Sequence, residues 1–137
     1  MNPEDPKRRT KQFALRILKL VAALPNTVQG RTIGGQLVRS GTAVGANYRA
    51  TCRSRSRAEF VARIGVVEEE ADESAYWMEL IVEGELLKEE QVKSLLDEAN
   101  ELAKIMSSSR ISASASLAHS TKSQLAIGNR KSAMNHG

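Results

Sequence analysis

Apolar residues recur every three or four positions along four stretches of the chain, the period of a helix face turned to a core. Phe13, Ile17, Leu20, Val21 and Leu24 mark the first stretch. Ile33, Leu37, Gly41, Val44 and Tyr48 mark the second. The third carries Phe60, Ile64, Val67, Ala71, Ser74, Met78 and Ile81, stepping by four and three as a bundle seam requires. Val92, Leu95, Leu96, Ala99, Leu102, Ala103 and Met106 form the fourth. Punctuation separates them. Asp5 is placed to cap, Pro6 suits a first helical position, and Pro25 forbids continuation. Asn26 with Gln29, and Ser56 with Glu59, stand at capping-box spacing. Gly84 can end the third helix, and Glu89 and Glu90 suit the start of the fourth. The pattern predicts helices over about 6–24, 27–54, 56–84 and 89–110, joined as an all-α, antiparallel up-and-down four-helix bundle.

The third helix would be roughly 40 Å long at 1.5 Å per residue. From Ser107 the character changes to "SSSRISASASLAHSTKSQLAIGNRKSAMNHG", rich in serine and without aromatics. Residues 1–110 therefore read as one bundle domain, and 111–137 as a flexible tail.

Glycine is unusually frequent in the second helix, at Gly30, Gly34, Gly41 and Gly45. Each costs about 1 kcal/mol against alanine in a helix interior, so a compensating contact is expected. Gly41 and Gly45 share a face one turn apart, which lets two helix backbones approach closely. Arg39 and Arg49 flank the pair and argue against a membrane dimer motif. "GTAVGAN" is not a phosphate loop, since no Gly-Lys-Ser/Thr follows.

A second apolar stripe runs along the third helix. Val66, Trp77 and Leu80 lie well round from the seam, and Tyr76 falls on the nearly opposite face among acidic residues. Trp and Tyr in such a place point to contact with another chain, so Val66, Tyr76, Trp77 and Leu80 are the candidate oligomer interface. The plainer alternative is that Trp77 closes the edge of the core.

Charge sharpens the picture more than composition does. The net charge is +4, but residues 1–63 hold 13 Lys/Arg against 3 Asp/Glu, and residues 64–106 hold 3 against 13. Such asymmetry fits either a nucleic-acid face or two basic helices packed against two acidic ones. One cysteine, Cys52, allows no internal disulfide and suits a reducing compartment. The opening "MNPEDPKRRTKQ" has no apolar signal core, and no stretch reaches the roughly 18 apolar residues of a membrane span. A soluble cytoplasmic protein, not held by a membrane, is expected.

Catalytic constellations are hard to assemble. Both histidines, His119 and His136, fall in the expected tail, which removes the usual general base and the Glu-x-x-His pairs of di-iron bundles. Glu68, Glu69, Glu70, Asp72 and Glu73 are dense, but successive helix positions point apart, so they cannot all ligate one metal. Cys52 has basic neighbours and no partner base. No enzyme activity, metal or cofactor is expected.

The remaining chemistry is "TCRSRSRAEF", residues 51–60, a basic corner between the second and third helices. Arg49, Arg53, Arg55 and Arg57 are the expected main phosphate contacts, with Arg39 and Arg63 assisting. Lys7, Arg8, Arg9 and Lys11 crowd the start of the first helix. An antiparallel bundle places that start near the corner, so the two clusters can merge into one patch suited to non-specific, salt-sensitive binding of RNA or DNA. The alternative is structural: arginines complementing a helix C-terminus and pairing with acidic helices, in a protein-interaction scaffold that binds no nucleic acid.

"GQLVRSGTAVGANYRATCRSRSRAEFVARIGVVEEEADESAYWMELI", with the upstream Pro25, resembles the small bacterial four-helix-bundle proteins first met as reading frames inside 23S rRNA intervening sequences. Their relatives include the accessory protein of diversity-generating retroelements. The likeness covers about residues 10–110. Its most specific pieces are Gln-Leu-x-Arg-Ser at Gln36 to Ser40, the Ala46-Asn47 pair, and the Glu-Ala-x-Glu-x-x-x-Trp run from Glu70 to Trp77. The resemblance implies a ring-like homopentamer with a basic surface. It also implies a nucleic-acid partner, a separately encoded protein partner, and no catalytic residues. Many members have Ala-Glu where this chain has Arg49-Ala50, so the corner is more basic here.

Overall fold

The computed structural model of the protein describes the backbone of residues 4–135 and the side chains of residues 5–119. Four helices follow one another: α1 (Glu4–Ala22), α2 (Val28–Thr51), α3 (Arg57–Glu83) and α4 (Glu89–Asn135). Helix α1 packs on α2, α2 on α3, α3 on α4, and α4 back on α1, and among the described residues no backbone approach joins the diagonal pairs. That is the neighbour pattern of an up-and-down bundle whose short connections force antiparallel partners. No strand occurs among the described residues.

The core is the one the periodicity marks. Phe13, Ile17, Leu37, Val44, Ile64, Met78, Ile81, Val92 and Leu102 are all essentially sealed from solvent. Ile33, Phe60, Leu96 and Ala103 pack against its edge, half-buried. Two serines sit inside this apolar seam. Ser40 and Ser74 are fully buried, and the Ser74 hydroxyl lies 2.9 Å from that of Ser40 across the α2–α3 contact. Ser74 also donates to the Glu70 carbonyl oxygen at 2.8 Å, and no buried side-chain polar atom is left unsatisfied among the described residues.

Glycine compensation lies in the α1–α2 contact. A β-carbon at Gly41 would stand 2.7 Å from Cγ1 of Ile17, and one at Gly45 would stand 3.3 Å from the Thr10 hydroxyl. The two helix axes come together where α2 has no side chain.

Boundaries differ from expectation at several ends. Helix α1 already includes Asp5, which is therefore inside the helix and not its cap. Helix α2 is capped by Thr27, not Asn26: the Gly30 amide donates to the Thr27 hydroxyl at 3.0 Å, while Asn26 accepts from Arg31 at 2.9 Å. It ends at Thr51, which leaves Arg53 and Arg55 in the connection and not in the helix. Helix α3 opens at Ser56 as expected, with the carboxylate's return bond moved one residue upstream of the cap. The Glu59 amide donates to the Ser56 hydroxyl at 3.1 Å, and the Glu59 carboxylate reaches back to the Arg55 amide at 2.9 Å.

At the far end Gly84 caps α3 with ordinary φ of −83°, and the left-handed residue is Glu85 with φ of 58°. Helix α4 departs most. It continues past the expected bound of 110 to Asn135; neither Pro nor Gly interrupts residues 107–127, and Ala113 is still buried. His136 lies outside the described residues.

Candidate nucleic-acid interface

The pole where α1 begins, α2 ends and α3 begins gathers the basic residues. The α2–α3 connection is pinned from inside by its own hydrogen bonds. The Cys52 amide donates to Tyr48, Arg53 to Ala50 and Ser54 to Thr51, while the Ser54 hydroxyl bonds the Thr51 carbonyl oxygen at 2.6 Å. With its backbone so occupied, the corner leaves Arg53, Arg55 and Arg57 exposed. None of the three forms an ion pair with a described residue, and neither do Arg8, Lys11 or Arg49.

Three of the ten expected contacts are engaged elsewhere. Both oxygens of Glu98 on α4 accept from Arg9 at 2.8 Å, a bidentate pair that holds the guanidinium more firmly in its charged form. Arg39 bridges Glu70 and Glu73 on α3. Arg63 pairs with Glu59 at 2.6 Å and donates to the Ala50 carbonyl oxygen at 2.8 Å, tying the start of α3 to the end of α2. Part of the charge asymmetry is thus consumed inside the chain, basic helix against acidic helix, and part is not.

The α1–α2 side of this pole has a shape. Lys7, Arg8 and Lys11 from α1 and Arg49 from α2 line one groove of about 510 Å³, with no described carboxylate in its wall. Its floor is Ala14 on α1 with Thr42, Gly45 and Ala46 on α2. Of the corner arginines only Arg49 shares this groove with the α1 cluster; Arg53, Arg55 and Arg57 do not line it. The floor was not marked as a site by the sequence; the signal for it was the Gly41–Gly45 spacing, which draws α1 and α2 together.

On α3, Tyr76 is 52% exposed and Val66 41%. Trp77 and Leu80 are half-buried. Trp77 packs against the core, donates its indole N–H to Glu73 at 3.0 Å, and meets the Tyr76 ring edge-on with centroids 5.1 Å apart. The residue expected at an interface is thus also a core edge. Cys52 is partly buried. Among the described residues no three His, Cys, Asp or Glu side chains come together, and no helix is long and apolar enough to cross a membrane.

Comparison with known proteins bears on this arrangement. The family model of the 23S rRNA-intervening sequence proteins matches residues 6–108. A crystal structure of a protein of unknown function from the S23 ribosomal protein family of Bacteroides thetaiotaomicron is 34% identical. The match covers 76% of this chain and 96% of that one, with a TM-score of 0.71. No curated protein matches the chain.

Proposed function

Because this chain belongs to the 23S rRNA-intervening sequence protein family, we propose that it is a non-enzymatic, cytoplasmic bundle binding RNA or DNA without sequence preference through its basic pole. The observation that carries this is the groove lined by Lys7, Arg8, Lys11 and Arg49, of which Arg8, Lys11 and Arg49 form no ion pair with a described residue. Arg53, Arg55 and Arg57 stand exposed at the same pole. Arginine's fork fits phosphate oxygens, and each phosphate neutralised releases bound counterions, so affinity falls with salt.

Arg49, Arg53, Arg55 and Arg57 with the α1 cluster make the phosphate contacts. Arg9, Arg39 and Arg63 hold the helices in place. Copies join through the outer face of α3, where Val66 and Tyr76 are exposed, and the oligomer repeats the basic pole around its rim.

The test is a titration of labelled RNA and DNA at several salt concentrations, repeated with Arg53, Arg55 and Arg57 changed together to Ala. Loss of three phosphate contacts flattens the slope of log K against log salt by about 2 for single strands. An unchanged slope, or no binding by the native chain, refutes the proposal. The second outcome favours a scaffold that docks a separately encoded protein on the Val66–Tyr76 face.

A further inference from the structure

We propose that the α1–α2 groove seats one phosphate-terminated nucleotide: a nucleoside 5′-monophosphate, or the 5′-phosphorylated end of a strand. This rests on the nucleic-acid reading and narrows it from a charged pole to a site with a defined occupant.

Size is the first argument. At about 510 Å³ the groove falls within the roughly 300–1,000 Å³ of small-molecule sites, whereas a phosphate track along a surface needs no such concavity. Charge is the second. Four cations line it, and Lys7 and Arg8 lie near the start of α1, where the helix dipole adds positive potential. A terminal phosphomonoester carries a charge of about −1.5 to −2 at pH 7, more than a single internal diester can offer.

The floor is the third argument. Gly45 brings α2 to within contact distance of Thr10, and the neighbouring Ala14 and Ala46 are too short to fill the space above. A sugar and base can lie there. The Thr42 hydroxyl donates to the Val38 carbonyl oxygen at 2.7 Å, which leaves its oxygen able to accept from a ribose hydroxyl.

Calorimetric titration of the full chain with uridine 5′-monophosphate, uridine and inorganic phosphate at fixed ionic strength tests the seat. Ala46→Trp fills the floor without removing a charge, and Ala46 is exposed, so the core is untouched. If an unfolding curve shows that this variant is destabilised, Ala14→Leu fills the groove from the other wall. The monophosphate is expected to bind at least tenfold tighter than inorganic phosphate, uridine not measurably, and the filled variant tenfold or more weaker. Displacement by 5′-phosphorylated but not 5′-hydroxyl RNA identifies a strand end; displacement by neither identifies the free nucleotide. Monophosphate binding equal to that of inorganic phosphate, or unaltered by both fillings, overturns the inference. If long RNA still binds with a steep salt dependence in that case, the seat alone has failed and the basic pole stands.

Discussion

Two glycines on α2 offer a comparison in which one methyl group has opposite effects. At Gly35 an added β-carbon meets nothing within 4 Å. Gly35→Ala should therefore show the helix-propensity gain alone, about 0.5–1 kcal/mol. At Gly41 the same atom would lie 2.7 and 2.9 Å from Cγ1 and Cγ2 of Ile17, a buried β-branched side chain that cannot swing away. Overpacking of this kind costs about 1–3 kcal/mol, which the propensity gain only partly offsets. The net for Gly41→Ala is about 0–2 kcal/mol of destabilisation. The two variants should thus differ by at least about 0.5 kcal/mol, with the first above the parent and the second at or below it.

Urea unfolding at matched protein concentration reads this as midpoints moving in opposite directions at unchanged slope. With a slope of about 2 kcal/mol/M, each 1 kcal/mol is about 0.5 M. In an Ile17→Ala background most of the penalty at Gly41 should vanish, since Cγ1 and Cγ2 are gone and only Cβ remains, at 3.2 Å. Equal stabilisation by both alanines would show that α1 and α2 do not approach as described. The groove floor beside Gly45 would then lose its basis too.

Further outcomes follow from single side chains. Glu85 holds φ of 58° one residue after Gly84. Glu85→Gly relieves a left-handed conformation that costs a side-chain-bearing residue about 1–2 kcal/mol, and should raise the thermal midpoint; a lowered midpoint argues against it. Arg110 donates to Glu68 at 2.6 Å and holds that carboxyl below its usual 4.5, the hydrogen bond being the main cause. A depressed folded-state value means stability fully present above pH 4.5 and lost as pH falls through the folded value. The stability gap between the parent and Arg110→Ala should therefore close in acid, and NMR titration should find Glu68 nearer 4.5 in the variant.

Much of this was legible in the residues. The four apolar stripes name the buried core, and Ser56 with Glu59 names the start of α3, because both are set by spacing along one helix. Asn26 and Thr27 are both good caps, and only backbone direction chooses between them. The pairing of Arg39 with Glu70, or Arg9 with Glu98, depends on which turns of two helices lie side by side, and spacing along one chain does not encode that. Serine in 107–120 suggested a tail by composition, yet serine is only a mediocre helix former and nothing there breaks a helix already started. The groove floor escaped notice for a related reason: Ala14, Thr42 and Ala46 become notable only once two helices are laid together.

The hydroxyl contact between Ser40 and Ser74 has a consequence for how the helices find their alignment. An apolar seam repeating every three or four residues is nearly as content one turn out of step, since leucine meets valine much as it meets isoleucine. A pair of sealed hydroxyls is not. Sliding α3 along α2 by a turn would part the pair by some 5.4 Å and break the bond between the helices, leaving each hydroxyl only the carbonyl oxygen of its own helix, Leu37 for Ser40 and Glu70 for Ser74. The serines act as a key in a slot, selecting one axial position for the arginines and carboxylates further along the same two helices.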